Sequence, residues 1–249
     1  MNKRLITTAI LAALAAVPVT QASAATTNTA SALLDWSRFS IDFLTGSGSF
    51  AAGSSQTSAV AYWWSGSTEA YRYDATSSSA ATGGVSATGL ANGTTLGATA
   101  VATNGPDGLG NGAASGFANV WGLVTLNPYS SVEFSVPYTL SASIGNLGVK
   151  DASNASVQFN VYTSPDAPYR VWSDYAEISI SGSTPASSSS DWLDVIVKNR
   201  TGAPETLNWF AQASADTHVT EVPAIPEPET YAMMIAGLGL VTVMARRRR

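Results

Sequence analysis

The chain reads as an all-β protein, an antiparallel β-sandwich of jelly-roll-like type, and three features of the sequence say so. Ser, Thr, Ala and Gly dominate while charged residues make up only 12%, which leaves few of the Glu and Lys that sustain surface helices. Apolar side chains recur at every second position in one segment after another, the period of a half-buried strand. Clusters of Gly, Asn, Pro and Ser stand between these segments, where hairpins turn.

Taken in order, Ala25–Ser31 reads as a loose arm. A strand over Leu33–Leu44 follows, with Phe39, Ile41 and Phe43 alternating against Ser40 and Asp42. Ala59–Trp64 is a second apolar run. Ser77–Gly116 is rich in small residues and carries turn signals at Gly83-Gly84, Asn92-Gly93, Asn104 to Gly108 and Asn111-Gly112; short strands such as Thr95–Thr103 fit between them. Phe117–Leu126 is a strand ended by Asn127-Pro128. Val132, Phe134, Val136, Tyr138 and Leu140 then alternate with polar neighbours, and Pro137 marks an edge or a bulge. The same period returns at Val157, Phe159 and Val161, at Ile178 and Ile180, at Val195 and Val197, and at Leu207, Trp209 and Ala211. Ser181–Ser190 reads as a separator. No repeat of fixed length is present.

The two ends have a different character. Met1-Asn2-Lys3-Arg4 is basic, Leu5–Val19 is apolar, and Ala22-Ser23-Ala24 is a small-residue site. That order defines a secretory signal peptide over residues 1–24, cut between Ala24 and Ala25 and handled by a secretion translocon. At the other end, residues 223–249, Pro226-Glu227-Pro228 is followed by fifteen uncharged residues, Tyr231–Ala245, and then by Arg246, Arg247, Arg248 and Arg249. Prolines stiffen and extend the backbone ahead of the apolar run. As a helix that run reaches roughly 22 Å, short against a hydrocarbon core of about 30 Å. Arginines prefer the cytoplasmic side. The expectation is a single transmembrane sorting helix that holds the chain in the inner membrane until it is cut.

This tripartite tail resembles that of the PEP-CTERM proteins of Gram-negative bacteria. The match rests on Pro226, Glu227 and Pro228, on the apolar run with Gly237 and Gly239, and on the four terminal arginines. The resemblance implies processing by an exosortase, a membrane-embedded cysteine protease. It also implies transient inner-membrane anchoring, then delivery to the cell surface or extracellular matrix, in association with exopolysaccharide and biofilm.

Composition narrows what the body, residues 25–222, can do. Six of the twelve basic residues lie in the two ends. The body is left near −9, and such a surface repels nucleic acid. There is no Cys, so disulfides, thiolate metal sites and a cysteine nucleophile are excluded. His218 is the only histidine, which excludes a histidine metal cluster and leaves a triad no Gly-x-Ser-x-Gly partner. It reads as an exposed polar residue. No cofactor and no metal is expected. Asp35, Asp42, Glu133, Glu177, Asp191 and Asp194 lie on or beside strands, but no spacing selects the pair that glycoside hydrolysis needs. The loop Asn104–Asn111 lacks the acidic ladder of a calcium loop and reads as a turn.

Aromatic residues offer a better lead. In Tyr62-Trp63-Trp64 the adjacent tryptophans of a strand face opposite sides; Tyr169, Trp172 and Tyr175 flank another strand, and Trp192 sits among aspartates. Trp63, Trp64, Trp172 and Trp192 are candidate sugar contacts, set against the core role most aromatics play. Asn92, Asn154 and Asn199 fit the Asn-x-Ser/Thr pattern, which arises by chance in so hydroxyl-rich a chain. The expectation is a non-enzymatic structural or adhesive matrix protein. A carbohydrate-active hydrolase with paired carboxylates and a lectin-like sugar-binding module are the alternatives.

Overall fold

The computed structural model describes residues 27–63, 68–103, 112–145, 151–163, 170–181 and 185–220. The leader, the sorting tail and the Asn104–Asn111 loop lie outside the described residues, as do the side chains of Trp63 and Trp64. Ala25–Val222 forms one compact unit.

Its strands are β1 (Thr27–Asp35), β2 (Ser40–Thr45), β3 (Gly48–Trp63), β4 (Thr68–Asp74), β5 (Ser77–Thr82), β6 (Val85–Ala91) and β7 (Thr95–Thr103). They continue with β8 (Gly112–Leu126), β9 (Ser131–Ser143), β10 (Ala152–Thr163), β11 (Val171–Ser181), β12 (Ala186–Lys198) and β13 (Glu205–Val219). No α-helix occurs among the described residues, so none there is long and apolar enough to cross a membrane. The first sheet runs β12-β9-β1-β7-β6-β5, with β2 also on β9, and the second runs β11-β10-β13-β8-β3-β4. Every pairing is antiparallel. β8 pairs with β13, β9 with β12 and β10 with β11. That nesting is how a long hairpin rolls into two facing sheets.

Alternation decides which side of each strand meets the other sheet. Along β10 and β13 burial switches at every residue. Val157, Phe159, Val161, Leu207, Trp209 and Ala211 all turn inward and are at most 1% exposed. At about 25 cal/mol per Å² of apolar surface removed from water, these positions carry the stability of a chain that has no disulfide to help it.

Three expectations need correction. Residues 27–31 are no loose arm: all five pair with β7, residues 29–31 also pair with β9, and Ala30 is buried. Small alternating Ala and Thr suffice once two neighbours supply the ladder. Residues 186–190 are strand too, because Ser187–Ser190 pair with Thr139–Ala142 of β9. Serine's weak strand preference yields there to a complete partner strand. Leu33–Leu44 is two strands rather than one. The pairing of β1 with β9 stops at Leu34 opposite Tyr138, and that of β2 starts at Ser40 opposite Ser135.

Pro137 explains the break, and it lies inside the sheet, not on its edge. The N–H groups of Trp192 and Asp194 are bound by carboxylates, so they face away from β9. Their partners Pro137 and Ser135 therefore aim their nitrogens at β1 and β2. Proline has no N–H to give. The chain opposite it leaves the ladder and makes one 3₁₀ turn, Trp36–Arg38. That detour drops two rings into the gap between the sheets. Trp36 and Phe39 stack at 4.4 Å, and Phe39 in turn meets Phe50, Phe134 and Phe159 at 5.6 to 6.3 Å. Trp209 closes the cluster, 4.9 Å from Phe50, and its indole N–H donates to the Ala51 carbonyl beside the β3 bulge.

Away from this cluster the core thins. Inward positions of β6, β7 and β8 are mostly alanine or glycine, such as Ala87, Ala98, Ala118 and Gly116. The sheets close up so far that a Cβ on Gly89 would come within 2.2 Å of the Phe117 carbonyl oxygen. Only glycine fits there.

The open side of the sandwich, where β11 and β12 are edge strands, is tied by one carboxylate. Asp174 Oδ1 accepts the Tyr175 N–H at 2.8 Å and Oδ2 accepts the Asp194 N–H at 2.9 Å. One side chain thus occupies an outward-pointing donor on each sheet, a device that also blunts both edges against strand addition.

Candidate functional site

With the interior filled, chemistry is left to the two outer faces, and register sets what each one carries. On the first sheet one row runs Ser79, Thr88, Thr99, Ser31, Ser141 and Ser188, a hydroxyl from each of six strands. Thr88 and Thr99 bond to each other at 2.6 Å, Thr29 to Ser143 at 2.7 Å and Thr27 to Thr103 at 3.0 Å. Hydroxyls both donate and accept, so neighbours on this face can pair laterally.

Where the 3₁₀ turn interrupts β1 and β2, this face opens into a groove of about 410 Å³. Leu33, Asp35, Thr95, Thr139, Ser190 and Trp192 line it, with Arg38 and Asp191 at its wall. Trp192 turns outward, 40% exposed, and the Arg38 guanidinium lies 5.0 Å from its ring centroid, within cation–π range. Asp35 accepts the Ser37 hydroxyl at 2.6 Å, and Asp191 accepts the Trp192 N–H at 2.9 Å.

The second sheet presents a different surface. Its rows read Tyr175, Gln158, Gln212, Asn119, Gln56, then Ser173, Asn160, Phe210, Trp121, then Val171, Tyr162, Asn208, Leu123. Amides and rings replace hydroxyls. Gln158 donates to Gln212 at 2.7 Å. Asn119, only 7% exposed, has an Oδ1 without a partner among the described residues. A depression of about 270 Å³ lies at one end of this face, between Tyr62, Asn154, Asp216 and His218.

Tyr175 and Glu177 border the face. The Tyr175 hydroxyl donates to Glu177 Oε2 at 2.5 Å, and Asn154 donates to Oε1. Burial, followed by that hydrogen bond and the glutamate charge, pushes the Tyr175 phenol up to about 12. The same bond, then that from Asn154, holds the Glu177 carboxyl below its ordinary value.

The sequence-level candidates distribute unevenly over this frame. Trp192 lies on the outer face, as a sugar contact requires. Trp172 turns inward, half-buried against the core with the Arg170 guanidinium 5.1 Å from its ring. Trp63 and Trp64 fall outside the described side chains. His218 is half-buried on β13 rather than exposed, and its carbonyl accepts the Asn28 amide at 2.9 Å. Of the carboxylates, Asp42 and Glu133 are direct cross-strand partners, Asp194 accepts the Ser135 hydroxyl at 2.5 Å, and only Asp35 and Asp191 meet at the groove. Asn199 is 2% exposed, its amide donating to the carbonyls of Leu126, Asn127 and Ala203. Asn92 ties its own turn through Thr94 and Thr95. Among the described residues no three His, Asp or Glu side chains group as a metal site would. The amide–aromatic face escaped the sequence reading. Phe117, Trp121, Tyr162 and Phe210 come from three separate segments of the chain, and only strand register puts them side by side.

Beyond the two-sheet body the chain carries a separate terminal address. That address can be named: residues 224–249 match the PEP-CTERM protein-sorting motif. The motif carries Pro226, Glu227 and Pro228 and the four terminal arginines. It marks the chain for export, for membrane-associated sorting toward the cell surface and for processing by an exosortase. No curated protein and no solved structure matches the chain.

Proposed function

We propose that this is a non-enzymatic structural or adhesive component of the cell surface or extracellular matrix, released there by its exosortase and in contact with exopolysaccharide. The observation that carries the reading is the sorting motif at residues 224–249. An acidic body without cysteine suits life outside the cell, where neither a reducing pool nor a metal supply is needed to keep it folded. The secretion translocon and the inner membrane are its partners only in transit.

Mass spectrometry of the C-terminus tests this on protein recovered from outside the cell, with and without the exosortase. The expected exported form ends ahead of the apolar run, and loss of the exosortase leaves the tail in place. Exported chains that keep Arg246 to Arg249 would overturn the sorting step.

A second reading, hydrolysis by paired carboxylates, draws on Asp35 and Asp191 at the groove beside Trp192. Its test is release of reducing sugar from polysaccharide, abolished by Asp35→Asn and Asp191→Asn. Under the first reading the wild-type protein releases none.

A further inference from the structure

We propose that the outer face of the second sheet is a binding platform for a neutral, hydroxyl-rich polysaccharide chain, laid across the strands along the amide row from Gln158 to Gln56. The proposal rests on the matrix reading above and gives it a site.

Geometry comes first. Gln158, Gln212, Asn119 and Gln56 are successive cross-strand partners on β10, β13, β8 and β3. They step by about 4.8 Å, the spacing of neighbouring strands, close to the length of one pyranose unit in an extended chain. Each amide offers two donors and an acceptor, which suits partners that both give and take hydrogen bonds. An unmet acceptor supplies the second observation. Asn119 Oδ1 is buried without a partner among the described residues, a state that costs about 1–3 kcal/mol unless a donor arrives. A sugar hydroxyl that displaces the side chain covering this atom is such a donor.

Rings stand on both sides of the amide row. Phe117 lies two residues before Asn119 on β8 and Trp121 two residues after it, with Phe210 directly opposite Trp121. Aromatic surface of this kind takes the apolar C–H faces of sugar rings. Charge then chooses the class of polymer. The three rows from Tyr175 to Leu123 contain no Asp, Glu, Lys or Arg. The body around them is strongly acidic and repels a polyanion. A neutral chain meets no such barrier.

The test uses the full chain in mild detergent, pelleted with insoluble cellulose, curdlan and mannan, and with polygalacturonate as the acidic polymer. The expected result is retention on at least one neutral polymer, weakened tenfold or more by Trp121→Ala and by Gln212→Ala, with polygalacturonate ignored. Gln56→Ala, at the margin of the row, weakens retention without touching the core, and Thr99→Val on the opposite face leaves it unchanged. Variants that pellet as well as wild type overturn the site while the matrix reading stands. A wild-type protein retained by none of these neutral polymers overturns the platform, while the matrix reading is decided separately by the C-terminal mass spectrum. Preference for polygalacturonate overturns the neutral class. Dimers in sedimentation velocity that vanish in Trp121→Ala, without polysaccharide retention, would make the face a contact between two copies and overturn the proposal.

Discussion

The two outer faces belong to sheets of seven and six strands that share one core, yet they face water in different ways. On the first sheet short hydroxyls bond to one another across strands, as in Thr88–Thr99 and Thr29–Ser143. Other hydroxyls of the row, such as Ser31 and Ser141, face solvent, and the groove by Trp192 interrupts the face. On the second sheet longer amides and rings stand in rows, one amide pair is closed, and the buried Asn119 Oδ1 has no partner among the described residues. One face carries short hydroxyls that can pair only with near neighbours, and the other carries longer amides and rings, so side-chain length makes the difference.

The strongest way to break the comparison is to remove what both faces rest on. Trp209→Ala empties the aromatic cluster and forfeits the indole bond to Ala51, with an expected loss of about 3–5 kcal/mol. Thermal unfolding should show both faces failing together, in one transition at a lower Tm. Two separate transitions would mean that the sheets hold up independently.

A smaller effect should follow from Asp174→Ala. It frees the Tyr175 and Asp194 N–H groups on the two edge strands, costing about 1–2 kcal/mol and exposing both edges to pairing. Chemical denaturation gives the stability. Sedimentation velocity should show new self-association through β11 or β12, and a variant that stays monomeric would deny the edge-guarding role.

The border of the second face can be sharpened by pH. The Tyr175 phenol is raised to about 12, so the stability it lends is complete below the ordinary value of 10.0 and is lost as pH climbs through about 12. Ultraviolet titration of the phenols should show one late-ionising tyrosine that disappears in Tyr175→Phe. Glu177 runs the other way. Its carboxyl is lowered from 4.5, so its contribution is present above that value and fades as pH falls through the lowered one. Because the group is largely exposed, solvent screening keeps the effect small. Glu177→Gln should flatten the acid limb of stability slightly and leave neutral pH unchanged.

The smallest effect belongs to the first face. Thr99→Val removes one exposed hydroxyl pair and should change stability by no more than about 0.5 kcal/mol in either direction, as read by chemical denaturation.

Period-two alternation made the inward residues of β9, β10 and β13 legible, because each side chain reports its own sheet face. Thr95–Thr103 coincides with β7. Detail failed where a neighbour overrides local preference. Ala30 and Ser187 look like loop in isolation and become strand once β9 lies beside them. The candidate sites show the same limit. Trp192 was visible as an aromatic among aspartates, while nothing in the chain announced that Phe210 stands opposite Trp121, eighty-nine residues away.

By itself the sequence determined the address and the class: the sorting tail, the acidic cysteine-free body and the alternating strands are local patterns that need no partner to be read. Tertiary structure alone decided which strands are neighbours, that Pro137 forces Trp36 and Phe39 into the core, and that amides gather on one face and hydroxyls on the other. Local patterns depend on residues a few positions apart. Register depends on pairings between distant segments, and those exist only once the two sheets have closed on a shared interior.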